Sequence, residues 1–257
     1  MSLSEMRKST WKGAAPIAYE IKTSGSLKKT WKLRWKPVCG STEIELSRWI
    51  RDVPVGVKTP LAFFAAKQSH GQGQRGKFWS SPFGGVWLSA AIPLAFEQES
   101  VGLFGLAVSV ALANRLQKCS IPVQIKWPND LLVEQRKIAG FLPRIIYRGQ
   151  TPTFMCLGVG LNVFNRVPNE GISLIEISDN NNICLAKWSV EVLIAIEKAI
   201  VFLNNPSFLC SKAESLLWST KIYQSGSNKL WTIDGLDQKG QLKVRRGFHK
   251  EVWNRWE

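Results

Sequence analysis

Short apolar runs, too brief to be helices, alternate irregularly with two long helical stretches, and this order limits the folds open to the chain. Residues 61–66, 86–94, 123–126, 131–133, 137–146 and 154–163 read as strands, separated by Pro and Gly. Residues 100–117 read as a largely buried helix. Residues 188–203 place Val192, Ile196 and Ile200 on one helical face. Strict strand–helix–strand alternation is missing, so the expected class is α+β, with a mixed, largely antiparallel sheet flanked by helices. Beyond Asn205-Pro206 a short helix is expected to about Trp218. Gly226, Gly235, Gly240 and Gly247 then punctuate short alternating stretches, the pattern of a small β domain.

Three segments are expected: a basic N-terminal arm (1–36), a central domain (37–215) and the small β domain (216–257). The arm reads as loose, with a strand over 30–38, and Gly13, Pro16 and Gly25 argue against a helix-turn-helix. A helix should open at 40–42 and run to about Arg51. Of 34 Lys and Arg, nine fall in residues 1–36 against two acids, within a net charge of +15. Such a surface favours polyanions. No apolar run approaches the roughly 20 residues that span a bilayer, and 1–36 lacks a signal-peptide core. Five scattered cysteines without a CxxC pair point to buried, reduced thiols in a cytoplasmic protein rather than disulfides or zinc.

Three motifs can carry chemistry. In Gly71-Gln72-Gly73-Gln74-Arg75-Gly76-Lys77, glycines permit positive φ and turn N–H groups toward one point, a cradle for an anion. The spacing is not that of a Walker loop, and no helix follows as a dinucleotide fold requires. Lys126-Trp127-Pro128-Asn129-Asp130 reads as a hairpin tip. Seven residues after Asp130, Lys137 begins an apolar strand, where a lysine is costly unless it meets an anion. In residues 157–163, Gly158 and Gly160 imply close approach by a ligand or another backbone, and Asn162 needs a partner.

Together, Gln68 with the glycine loop and Trp79-Ser80-Ser81-Pro82-Phe83-Gly84, then KWPND with Lys137-Ile138-Ala139-Gly140, then 158–163, resemble the biotin–protein ligases. The resemblance covers roughly residues 38–175. It implies a class II synthetase-like (biotin–lipoate ligase-like) α+β fold with an SH3-like C-terminal domain. It also implies a cytoplasmic, monofunctional enzyme, monomer or weak dimer, without a specific DNA or membrane partner and without a resident metal. ATP and Mg2+ would convert biotin to biotinyl-5′-AMP, and biotin would pass to a lysine of a biotin carboxyl carrier protein.

By the same resemblance, Ser41, Thr42, Gln68, Gln72, Gly73, Gln74, Lys137 and Gly140 would bind biotin. Gly71, Arg75, Gly76, Trp79, Asn129 and Asn162 would hold ATP or the adenylate, the asparagines alternatively its magnesium. Lys137 would neutralise charge at the junction of the two anions, while Asp130 either orients Lys137 or receives the proton of the incoming lysine. Three positions depart from the pattern: Glu43 stands where an amide is usual, Gln72 and Gln74 where arginines are usual, and Arg144 where an acid is usual. Alternatives are a lipoate ligase or octanoyltransferase, whose RRxxGG element is missing, and a nucleic-acid-binding regulator.

Overall fold

The structure is a computed structural model describing residues 13–54, 56–94, 101–178, 183–224 and 226–254. The main sheet contains β1 (Lys32–Cys39), β2 (Leu61–Gln68), β3 (Val86–Pro93), β4 (Gln124–Lys126), β5 (Asp130–Val133), β6 (Arg136–Arg148) and β7 (Thr151–Leu161). Their order is β1-β2-β3-β7-β6-β5-β4, and only the β1–β2 pair is parallel. This is the expected mixed, largely antiparallel sheet.

Strand periodicity sorts side chains between two cores. Ala62, Phe64, Leu88, Ala90, Leu157 and Val159 face the larger one. It is completed by α1 (Ala15–Ser24), α3 (Val101–Gln117) and α5 (Leu185–Phe202), with α3 on α5 and β6 and α1 on α5. The opposite face carries Leu61, Phe63, Ala91 and Cys156 against Leu46, Trp49 and Ile50 of α2 (Thr42–Arg51). Each large buried apolar side chain contributes about 1.5–3 kcal/mol over its exposed state.

Two expectations are corrected. Within the expected loose arm, Ala15–Ser24 is a helix whose Ile17 is fully buried. Glu197 of α5 fastens the following turn by accepting from the Lys28 and Lys29 amides and the Trp31 indole. Residues 1–12 of the arm lie outside the described residues. Of the five cysteines, all free, Cys119 and Cys184 are exposed rather than buried.

After α4 (Leu174–Ile177) and α6 (Pro206–Glu214), strands β8 (Lys221–Tyr223), β9 (Leu230–Leu236), β10 (Leu242–Arg246) and β11 (His249–Trp253) form a four-stranded antiparallel sheet. It is the expected small β domain. The Trp127 indole donates to Gly240 O at 2.8 Å, tying this sheet to the hairpin between β4 and β5. Residues 216–218 still exchange hydrogen bonds with Ile125 of β4. Among the described residues no helix is long and apolar enough to cross a membrane.

Candidate active site

A cavity of about 320 Å³ opens on the α2 face of the sheet, between the start of α2, the glycine loop and the β4–β5 hairpin. Period two puts Gly158 and Gly160 of β7 on this face, and register places Gly140 of β6 beside Gly160. The Trp79 indole lies over both. A Cβ on Gly160 would stand 2.5 Å from its Nε1, and one on Gly140 2.8 Å from its Cζ3. The close approach expected at Gly158 and Gly160 is therefore made by side chains, Glu43 at Gly158 and Trp79 at Gly160, and Trp79 also meets Gly140.

At one end of the cavity a buried polar chain runs through the sheet. The Thr42 amide and hydroxyl donate to Gln68 Oε1 at 2.7 and 3.0 Å, and Gln68 Nε2 donates to Ser81 Oγ at 2.8 Å. Thr42 Oγ1 also meets Ser89 Oγ at 2.8 Å. Beside them the Ser41 hydroxyl is buried and has no partner among the described residues. Glu43 ion-pairs through Oε2 with Arg144 Nε across the cavity wall. Burial is the largest single influence on Arg144 and lowers its pKa, but the Glu43 charge and hydrogen bond, together with nearby Cys156, outweigh it and hold the guanidinium above its ordinary value.

At the other end, Lys137 Nζ sits 2.8 Å from Asp130 Oδ2 and 4.7 Å from the Trp79 ring centre. Burial pushes the Asp130 carboxyl above the usual carboxylate range, while Lys137 pulls it partly back. Arg75, Lys77 and Lys126 add positive charge around this end. The anion that the Lys137 position demanded is thus first supplied by Asp130.

The glycine loop departs from its expected backbone. Positive φ falls on Arg75 (56°) and Gly76 (71°), not on Gly71 or Gly73. Residues 74–76 make one 3-10 turn, closed by the Lys77 N–H donating to Gln74 O at 3.1 Å, while the Gly73 N–H donates to Lys77 O at 2.7 Å. Gly71 serves space instead, since a Cβ there would meet Ser81 Oγ at 2.6 Å.

Of the residues singled out in the sequence, Ser41, Thr42, Gln68, Gln72, Gly73, Gln74, Arg75, Trp79, Asn129, Asp130, Lys137 and Gly140 line this cavity. Gly71, Gly76 and Asn162 do not. Asn162 is a structural bracket: its Nδ2 donates to Lys137 O at 3.1 Å and its Oδ1 accepts from Asn165 at 3.0 Å. Asn129 Nδ2 likewise donates to Phe141 O at 2.7 Å, strapping the hairpin to β6. Sequence reasoning passed over Ser89 and gave Ser81, though part of a quoted motif, no role. A serine inside the apolar 86–94 run was the available signal, because a buried hydroxyl there needs a partner.

For magnesium, the cavity offers two carboxylates, Glu43 and Asp130, each already ion-paired. Among the described residues no group of three or more His, Cys, Asp or Glu gathers as a metal site. The donor set does not fit a resident magnesium ion.

Residues 53–162 match the model of the biotin/lipoate A/B protein ligase family. The chain is 32% identical over 140 residues to the bifunctional ligase/repressor BirA of Escherichia coli K12, covering 53% of this chain and 42% of that protein. It is 30% identical over 150 residues to biotin–protein ligase 2 of Arabidopsis thaliana, covering 56% and 44%. The chain thus spans less than half the length of either relative. The structure of a biotin protein ligase from Aquifex aeolicus in complex with biotin and ATP superposes with a TM-score of 0.72, at 24% identity. That match covers 90% of this chain and 97% of the other. Over residues 53–162, then, the chain is similar to the biotin/lipoate A/B protein ligase family.

Proposed function

We propose that the protein is a biotin–protein ligase that activates biotin with ATP and transfers it to a lysine of a biotin carboxyl carrier protein. The observation that carries this reading is one cavity with a hydrogen-bonding, apolar-walled end at Ser41, Thr42 and Gln68 and a cationic end at Arg75, Lys77, Lys126 and Lys137. The first suits a small polar head group. The second suits a polyphosphate. Support comes also from the names of the relatives and from the bound molecules in the Aquifex structure.

The chemistry follows from this division. In the first step a carboxylate oxygen of biotin attacks the α-phosphorus, the bond to pyrophosphate breaks, and biotinyl-5′-AMP forms. Two anions must meet, and Lys137 stands where their charges converge, its ammonium held by Asp130 and the face of Trp79. In the second step the neutral amine of a carrier lysine attacks the acyl carbon. A C–N bond forms, the C–O bond to AMP breaks, and the amine proton leaves. Asp130 Oδ1, buried and without a partner among the described residues, is an acceptor positioned for that proton. Magnesium would enter as the phosphate complex of the nucleotide, since no carboxylate set gathers for it among the described residues.

The test is biotin-dependent exchange of pyrophosphate into ATP, followed by transfer to a purified carrier domain. Exchange that requires biotin, with label appearing on the carrier lysine, is the expected result. Exchange driven by lipoate or octanoate and indifferent to biotin would reassign the substrate.

A further inference from the structure

Among the described residues, the small β domain has one packed face and one open face. Inward, Ile222, Trp231, Leu236, Leu242, Val244 and Trp253 join the large core. The strand period of two turns the intervening side chains outward, and register lines them up. Lys221 of β8 stands beside Thr232 of β9, Thr232 beside Arg245 of β10, and Arg245 beside Lys250 of β11. This row crosses all four strands, about 14 Å at the usual inter-strand spacing. Lys243 and Val252 pair in the next row. Thr232 is half-buried, and every other member of the two rows is exposed. The acid on this face is Asp234, and Arg245 Nε already meets its Oδ1 at 2.6 Å. Lys221, Lys243 and Lys250 make no ion pair among the described residues.

At the end of the sheet where β10 turns into β11, the open face becomes aromatic. Tyr223 pairs with Leu230 there, both exposed, and the two-residue turn Gly247-Phe248 holds its phenyl ring wholly in solvent. Apolar groups held out of the core beside a charged rim mark an interaction surface. We infer that this face binds single-stranded nucleic acid without regard to sequence. The phosphates follow Lys221, Arg245 and Lys250 with Lys243 beside them, and the bases stack on Tyr223 and Phe248. A line of cations matches a linear polyanion, and an exposed ring accepts any base because every base has a π-face. A flat sheet, by contrast, offers no groove for the apolar side of an acidic helix. None of these residues lines the cavity, so the binding is separate from the proposed ligation.

The test is fluorescence anisotropy of the full chain with a labelled oligothymidylate of about 12 nucleotides, within the span one small β domain covers. Over roughly 50–200 mM salt, log affinity should fall against log salt with a slope of about −2 to −3, for three or four phosphates. Lys243→Gln/Lys250→Gln should make that slope shallower by about 1.4. Phe248→Ala/Tyr223→Ala should weaken binding at least tenfold at an unchanged slope, since it removes stacking alone. Both variants alter exposed side chains, and an unchanged urea midpoint shows that each is folded. Oligothymidylate that does not bind overturns the inference. Binding that neither variant weakens would put the site in the basic N-terminal arm and overturns it too. Poly-glutamate or phosphatidylserine vesicles that bind as tightly, with the same loss in Phe248→Ala/Tyr223→Ala, would make the partner an acidic polypeptide or a lipid surface, and that also overturns it.

Discussion

Replacing Gly160 by alanine tests whether the seat of Trp79 organises the cavity. The new Cβ would lie 2.5 Å from indole Nε1 and Cε2 and 2.7 Å from Cζ2, against an ordinary contact of 3.4 Å or more. Because Gly160 sits in a strand paired on both sides, with Trp87 of β3 and Gly140 of β6, its backbone cannot retreat. The indole must move by about 1 Å, and overpacking of this kind costs about 1–3 kcal/mol. For a protein of this size that lowers Tm by about 2–10 °C. The functional loss should be larger in proportion. Trp79 carries the face on which Lys137 rests, so its movement shifts the charge at the reacting junction, and a displacement near 1 Å can cost about 10²-fold. The assay is biotin-dependent pyrophosphate exchange beside chemical denaturation, repeated in a Trp79→Leu background that lacks the three clashing atoms. In that background Gly160→Ala should cost at least about 1 kcal/mol less stability. Equal cost in both backgrounds, or normal exchange in the single variant, would refute the argument.

Lys137→Ala should lower pyrophosphate exchange at least 10²-fold, about 3 kcal/mol for one preorganised charge, and near-normal exchange would remove Lys137 from the reaction. Burial raises the Asp130 carboxyl, so the folded chain binds more protons than the unfolded one between the ordinary and the raised value. Stability should therefore fall as pH rises through that window, while activity, which needs the ionised carboxylate beside Lys137, should rise through it; Asp130→Asn should flatten both profiles. Gln74→Arg, which puts a charge on the loop at the cavity mouth, should slow dissociation of preformed biotinyl-5′-AMP by roughly tenfold, measured without carrier. Gly102→Ala, in α3 with nothing within 4 Å of the new Cβ, should stabilise the protein by about 0.5–1 kcal/mol in urea titration, with exchange unaltered.

The strands were legible where burial on both faces forces unbroken apolar runs, as in 61–66 and 86–94, and α3 and α5 were legible from their length. Helix α1 was not. Its hydrophobic face holds one fully buried residue, Ile17, and its end signals read locally as breakers. Pro16 lies in the first turn, where the missing N–H costs nothing, and Gly25 follows the last turn at φ 57°, which closes a helix rather than preventing one. Only contact with α5, far along the chain, decides between the two readings.

The site divides in the same way. Lys137 stands out in sequence because a lysine in an apolar strand is out of place by local rules, whereas Asp130 and Trp79 were marked only by the resemblance to the ligases. Asn162 is equally out of place, yet its partners are Lys137 O and Asn165, so the same signal marks a bracket. Composition cannot separate these cases, because a buried polar side chain needs a partner whether that partner is a ligand or the protein itself. Glu43 and Arg144 show the limit most clearly. Read singly, each is a departure from the family pattern, one adding a negative charge and the other a positive one. In the fold they meet across 101 residues as an ion pair, so each accounts for the other. The pairing also explains how a carboxylate can be buried against Gly158 at all, since without the guanidinium its charge would be buried unpaired. What the pair leaves over is a single oxygen, Oε1, facing a glycine that leaves room for it. The two positions that depart from the family pattern thus meet as one buried ion pair.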